Sequence, residues 1–303
     1  RNWSHRDAEI PGGSDPPPPV QSEGGRRGGG RPGAGKVAGG KRLAGALADR
    51  EAAVSAARGG ACSPITRAIF VAAMGLVGAE GRALTLEWSN NWLTIRGSLL
   101  LPEGLRVHYL EAVCRANSRQ TDWVAHTLIP HRTILLRGSA DGSELELITY
   151  VEDGLQMHHR IRAGTDEVEF RIEASHAART RSVAHWAQVC PRLGRFAGFD
   201  DAGPDLNDYL PKCFIVLDGA ITRLPTPQWA TEARYTPGQV WRPRHVPVED
   251  VNPRPLNPRL AEMGLIGCFR ADERAIWATA WEPYQELFQG VARCLHADIR
   301  LGG

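Results

Sequence analysis

The sequence predicts an all-β protein: an antiparallel two-sheet sandwich over residues 82–303, with a long ordered Pro- and aromatic-rich loop. Three observations carry this prediction. From Leu84 onward apolar and polar residues alternate with period two, the mark of strands buried on one face. The alternating runs are separated by turn dipeptides such as Asp141-Gly142 and Asp153-Gly154, which favour hairpins. No stretch carries the 3.6-residue periodicity of a long amphipathic helix.

The strands are expected in the following order. Leu84–Trp88 and Trp92–Gly97 alternate on either side of the turn at Asn90-Asn91. Arg106–Cys114, His131–Arg137, Glu144–Val151, Leu155–Ala163 and Glu167–Ala174 follow, punctuated by Pro102-Glu103-Gly104, Glu152-Asp153-Gly154 and Gly164-Thr165-Asp166. His185–Leu193, Cys213–Leu217 and Ala220–Leu224 come next, the last two joined by Asp218-Gly219. Between 226 and 259 the chain holds too many Pro and aromatic residues (Trp229, Tyr235, Trp241) for a regular element and is too aromatic for a disordered linker. A long ordered loop lying over the sheet is the expectation there. Gly264–Phe269, Ala275–Trp281 and Val291–Arg300 bring the set to ten or more strands, enough for two sheets. The last runs nearly into Leu301-Gly302-Gly303, which reads as a domain cut short at its C-terminus.

Residues 1–64 have a different composition. They run through PGGSDPPPPV and EGGRRGGGRPGAGKVAGGK with one aromatic, Trp3, and such a stretch buries too little apolar surface to offset the entropy of ordering it. Residues 65–81 then present Arg67, the apolar run Ala68–Val77, and small residues with Val77 and Ala79 at the −3 and −1 positions of a cleavage site. That is the outline of a secretory signal peptide. Its run falls well short of the roughly 20 residues that span a bilayer. A signal in this position, in a chain that starts with Arg1, reads as an export leader preceded by residues outside the natural coding sequence. A buried strand or short helix over 68–77 is the alternative. The expected setting is periplasmic or extracellular, with no stable membrane span.

Net charge is +2, and Arg26, Arg27, Arg31, Lys36, Lys41 and Arg42 of the N-terminal stretch supply much of the positive side. The remaining chain is close to neutral and shows no basic stripe with interleaved aromatics, so no nucleic-acid partner is expected. Gly33-Ala34-Gly35-Lys36 lacks P-loop spacing, and no G-x-S-x-G occurs, which removes nucleotide and serine-hydrolase readings. Beyond Cys62 the cysteines are Cys114, Cys190, Cys213, Cys268 and Cys294, an odd number without a CxxC pair. Buried free thiols are expected, with one or two disulfides in an oxidising compartment as the alternative, and no metal site or cofactor.

Four segments, Leu86–Leu93, Val107–Ala112, Ile129–Thr133 and Trp281–Gly290, resemble an uncharacterised family of exported bacterial β-sandwich proteins. The resemblance covers nearly all of 84–303; it implies fold and export and carries no activity. Glu169-Phe170-Arg171-Ile172, followed after a turn by His185-Trp186-Ala187-Gln188, is similar to the galactose-mutarotase-like supersandwich. In that fold a strand, a polar turn and a second strand bring a polar residue to the floor of a sugar-binding cleft. The histidine and glutamate motifs of the epimerases are missing here, so what is implied is the fold and a glycan or small sugar as partner.

The candidate chemistry follows from these segments. Trp281-Glu282-Pro283-Tyr284-Gln285 sets aromatic faces beside a carboxylate and an amide, groups suited to stacking on sugar rings and bonding hydroxyls. In the alternative, Trp281 and Tyr284 pack in the core and Glu282 caps a turn. His131 and His185 are candidate proton shuttles, with Glu282 as general base, and the three are expected to form one polar centre. Gln188 is a further polar contact, and Trp241 a further stacking platform. Arg192, Arg234 and Tyr235 suit an acidic sugar. His296 and Asp298, two apart on one strand, share a face, whereas His158 and His159 point to opposite faces. The expected activity is carbohydrate binding, or epimerase-, lyase- or hydrolase-like proton transfer on a sugar. The alternative is a non-catalytic envelope or protein-interaction module that uses the 226–259 loop.

Overall fold

The computed structural model describes residues 65–72, 83–117, 126–176, 181–200, 208–228, 239–251, 255–290 and 293–301. Their strands are β1 (Ile65–Ala72), β2 (Thr85–Ser89), β3 (Trp92–Arg96), β4 (Leu105–Cys114), β5 (His131–Gly138), β6 (Glu144–Val151), β7 (Leu155–Ala163) and β8 (Val168–His176). They continue with β9 (Trp186–Pro191), β10 (Cys213–Leu217), β11 (Ala220–Arg223), β12 (Gln239–Trp241), β13 (Leu265–Phe269), β14 (Ile276–Glu282), β15 (Tyr284–Gln289) and β16 (Leu295–Arg300). Among the described residues, helix is confined to single turns such as Gly194–Ala197 and Leu210–Lys212. Among the described residues no helix is long and apolar enough to cross a membrane.

The strands form two antiparallel sheets. One has nine strands in the order β11-β10-β13-β14-β1-β8-β7-β6-β5, and the other seven, β12-β15-β16-β9-β4-β3-β2. Their inward faces share one apolar core. Leu147, Ile161, Phe170, Ile215 and Trp277 come from the first sheet, and Leu93, Val107, Val189, Leu287 and Ile299 from the second. Period-two alternation therefore produced the fold it implies, a β-sandwich. Away from the core, the β6–β7 pair carries solvent-facing charge: Glu144 opposes Arg162 and Glu146 opposes Arg160 in register, with N–O separations of 3.4 and 3.6 Å. Such exposed cross-strand pairs contribute little, about 0.2–1 kcal/mol each, and chiefly mark a wet surface.

Two segments depart from the sequence reading, and a third takes one of its two readings. Residues 65–72, read as the start of an export leader with a strand or short helix over 68–77 as the alternative, form strand β1, hydrogen-bonded to β14 on one side and β8 on the other. The apolar run of a leader and that of a central strand have the same composition, so pattern alone does not separate them. Gln239–Trp241, inside the stretch expected to be irregular, is a three-residue edge strand paired with β15. Between the expected strands Ala275–Trp281 and Val291–Arg300 lies an unexpected one: Pro283, which has no N–H for a ladder, ends β14, and Tyr284–Gln289 crosses to the other sheet as β15.

His159 sits in the core at 2% exposure, while His158 faces outward. The Tyr109 hydroxyl lies 2.9 Å from its Nδ1, and Thr149 Oγ1 lies 2.8 Å from its Nε2. Burial pushes the Tyr109 hydroxyl well above its ordinary range, so it keeps its proton, and the two hydroxyls between them partner both ring nitrogens of a neutral imidazole. Desolvation, aided by the neighbouring His158 charge, lowers His159 to about 3. The folded state thus holds a neutral imidazole, and the unfolded chain takes up a proton first as pH falls below about 6.5. Stability from this group is present above pH 6.5 and is lost progressively down to about 3. Between pH 7.5 and 5 we expect urea denaturation to report a loss of about 2 kcal/mol. His159→Gln, which keeps a donor and an acceptor, should abolish most of that decline; an unchanged decline would exclude His159 as its source.

Candidate functional site on the outer face of the seven-stranded sheet

β9 puts Ala187 and Val189 into the shared core, so period two turns Trp186, Gln188 and Cys190 outward. β16 likewise commits Leu295, Ala297 and Ile299 to the core and turns His296, Asp298 and Arg300 outward. The outer face of an antiparallel sheet is usually wet. This one is covered: Gln188, His296 and Asp298 are 5%, 1% and 0% exposed. Part of the cover comes from the segment after β12, whose Val246 and Val251 pack with Phe288 of β15.

Two bulges load this face with carboxylates. In β15 the register shifts between Tyr284 and Glu286, and because Tyr284 and Leu287 both point into the core, Gln285 and Glu286 both turn away from it. In β4 the register shifts between His108 and Ala112. Tyr109 and Leu110 both enter the core, Leu110 adopts a left-handed φ of 47°, and Glu111 emerges beside His108 at 3.5 Å. That backbone costs a leucine about 1–2 kcal/mol. His131 Nε2 lies 2.8 Å from the Leu110 carbonyl and holds the strained residue in place.

Glu111 also accepts from Arg192 at 3.3 Å. Burial by itself raises its carboxyl, but the hydrogen bond from His108 and the His296 and Arg192 charges outweigh burial and hold it down to about 2. Trp92 stacks on the His108 ring at 4.8 Å, with the Arg106 guanidinium 4.1 Å from its centroid. A second network surrounds Asp250, which is 6% exposed. Its carboxylate meets His185 Nε2 and, at 3.2 Å, the Asn117 N–H. Arg300 lies 3.7 Å from the same carboxylate and donates to Gln285 at 2.7 Å, and Gln285 donates in turn to the Asp250 carbonyl at 2.7 Å. Imidazole, carboxylate, guanidinium and amide are thereby fixed in one orientation.

On the same face lie Cys190, Cys294 and His296, with ligand atoms all within 4.8 Å of one another. His296 Nε2 is 3.1 Å from the Cys294 sulfur, and its Nδ1 is 3.9 Å from Asp298. A hydrogen bond from Cys190 lowers the Cys294 thiol, while burial pushes Cys190 up. The turn that carries Cys294 is anchored from outside the sheet. Asp208 accepts two hydrogen bonds from Arg293, at 2.8 and 2.9 Å, and the Tyr209 hydroxyl contacts the Gly290 and Cys294 carbonyls while accepting from Gln289.

Of the residues singled out from sequence, His185, Gln188, Arg192, Gln285, His296 and Asp298 belong to this face. The proposed centre of His131, His185 and Glu282 is not assembled. His131 begins β5 and Glu282 ends β14, five strand spacings apart in the nine-stranded sheet, roughly 24 Å along it. His185 precedes β9 of the other sheet. Trp241, Trp281 and Tyr284 are core residues, at 0%, 1% and 5% exposure, so their ring faces are unavailable as sugar platforms. Alternation marked them as half-buried without telling which face is covered. Arg234 and Tyr235 lie outside the described residues. Sequence reasoning missed Glu111, Asp250, Glu286 and Arg300. It expected no metal site, because Cys190 and Cys294 are far apart in the chain and meet only through strand pairing. In comparison with known proteins, no family model, curated protein or solved structure matches the chain.

Removing the Asp250 carboxylate strips His185 and the Asn117 N–H of their acceptor. Asp250→Ala should cost about 2–4 kcal/mol in urea denaturation, and Asp250→Asn, which keeps one acceptor oxygen, about half as much. An Asp250→Ala variant as stable as the parent would show that the carboxylate holds nothing in place.

Proposed function

We propose that the protein is an exported carbohydrate-binding or carbohydrate-processing domain that meets its sugar on the outer face of the seven-stranded sheet. The observation that carries this reading is the concentration on that face of partly exposed, oriented polar groups, Glu111, His185, Arg192 and Arg300, with the buried Gln285 bonded to Arg300 and to the Asp250 carbonyl beneath them. A polyhydroxylated ligand is recognised by such fixed polar groups at spacings that match its hydroxyls. The finer fold reading, a galactose-mutarotase-like supersandwich, agrees with two large antiparallel sheets of nine and seven strands.

His185 is the best-placed proton-transfer group, since Asp250 holds its Nε2 and fixes the ring. The corresponding reaction class is proton transfer at a sugar carbon or glycosidic oxygen. Arg192, paired with Glu111, favours a sugar that bears a carboxylate. A non-catalytic interaction module is the second reading, favoured by the exposed Leu135 and Leu136 on β5, an edge strand, beside the exposed Tyr150 on β6.

A polysaccharide pull-down and glycan array, followed by product analysis, tests the first reading. Retention is expected for the parent protein, with about tenfold weaker binding, or ~1.4 kcal/mol, for Glu111→Gln and His185→Ala. Binding that survives both substitutions would remove this face from sugar recognition; absence of any retained glycan would favour the second reading. The Arg67-led run that reads as an export leader is the run that forms β1, so the mature N-terminus decides between the two. A start at Glu80 would support export and remove β1 from the sheet, whereas a start upstream of Arg67 keeps β1 and excludes the leader.

A further inference from the structure

Three side chains on the outer face have no assigned purpose in sugar binding yet form the tightest polar group there. Carrying the register that pairs Ala187 with Ile299 and Arg192 with Cys294 sets Cys190 opposite His296, with Cys294 one outward position along. The three are 1%, 1% and 4% exposed, and both cysteines carry free thiols. Two sulfurs and an imidazole nitrogen converge within 4.8 Å. A tetrahedral zinc ion with Zn–S of ~2.3 Å and Zn–N of ~2.05 Å needs donor separations of roughly 3.5–3.8 Å, so adjustments of a few tenths to about one ångström close the site.

The surroundings fit a metal ligand set. His296 Nε2 faces the sulfur, and its Nδ1 has no hydrogen-bond partner but points to Asp298 at 3.9 Å, the outer carboxylate that commonly orients a metal-bound histidine. The anchors on Arg293 and Tyr209 hold the turn in front of Cys294, so two donors sit on a braced hairpin and the third on its neighbouring strand.

We propose that Cys190, Cys294 and His296 bind one zinc ion, a thiophilic site with two thiolates and one imidazole. Binding releases the two thiol protons to solvent and changes no oxidation state. Soft sulfur donors with imidazole favour zinc over the oxygen-preferring magnesium and calcium. The three protein ligands leave one of the four tetrahedral positions for water.

Metal content reads this proposal without any sugar, so its outcome is separate from that of the carbohydrate reading. The full chain, purified under reducing conditions without chelator, should carry about one equivalent of zinc by mass spectrometry. After chelation, added Co(II) should give thiolate-to-cobalt charge-transfer bands and tetrahedral visible absorption. Cys294→Ser and His296→Gln should lose the metal and the bands, and Cys268→Ala, a buried cysteine on β13, should keep both. Should the site variants fail to fold, the cobalt spectrum of the parent decides alone. No thiolate bands, metal retained in full by Cys294→Ser, or a Cys190–Cys294 disulfide in the isolated protein would each overturn the proposal.

Discussion

The nine-stranded sheet hangs on one strand. β1 is hydrogen-bonded along both edges, to β14 over Arg67–Ala72 and to β8 over Ile65–Phe70. On one side lie four strands ending at β11, on the other four ending at β5. Without β1 each half would present a row of unpaired N–H and C=O groups over a shared core, and buried backbone groups are seldom left so. The core draws Phe170 and Ile172 from β8 and Trp277 and Trp281 from β14, so its continuity depends on the same junction. A segment cannot both supply this junction and be cleaved away as a leader.

The two sheets treat their outer faces in opposite ways. Around β6 and β7 the charges stand in water and oppose one another pairwise. Around β9, β15 and β16 they are covered, and burial of a charge is tolerated where partners are built in. Asp250 meets His185 and Arg300, Glu111 meets Arg192 and His108, and Arg293 meets Asp208. Bulges make this possible. Each turns residues that strict alternation would send to the core onto the polar side, and the left-handed Leu110 is the local cost of doing so.

The strands of the sandwich were largely legible because period two is written into nearly every one. β5, β6 and β7 fall within a residue of the expected bounds. Legibility ended where the signal changed meaning. The aromatic run Trp281–Gln285 reads like a binding motif, yet it straddles the crossing at Pro283, with Trp281 and Tyr284 filling the core. His131 on an alternating strand is a brace for a bulge, which sequence cannot show since Leu110 lies 21 residues away. His296 and Asp298 were visible as a same-face pair because their spacing is local. Cys190 and Cys294 were not, because the fact that joins them is the pairing of β9 with β16.

Strand order also gives the architecture a timetable. Arg67 finds its partner at Glu282, and Ala187 finds its partner at Ile299. Neither sheet can be joined up until residues 276–300 have been made. Hairpins such as β6–β7 can form as the chain grows, but β8 and β9 wait with open edges for partners synthesised much later. Closure of this sandwich therefore waits on residues 276–300 and is slow in the manner of folds dominated by distant pairings.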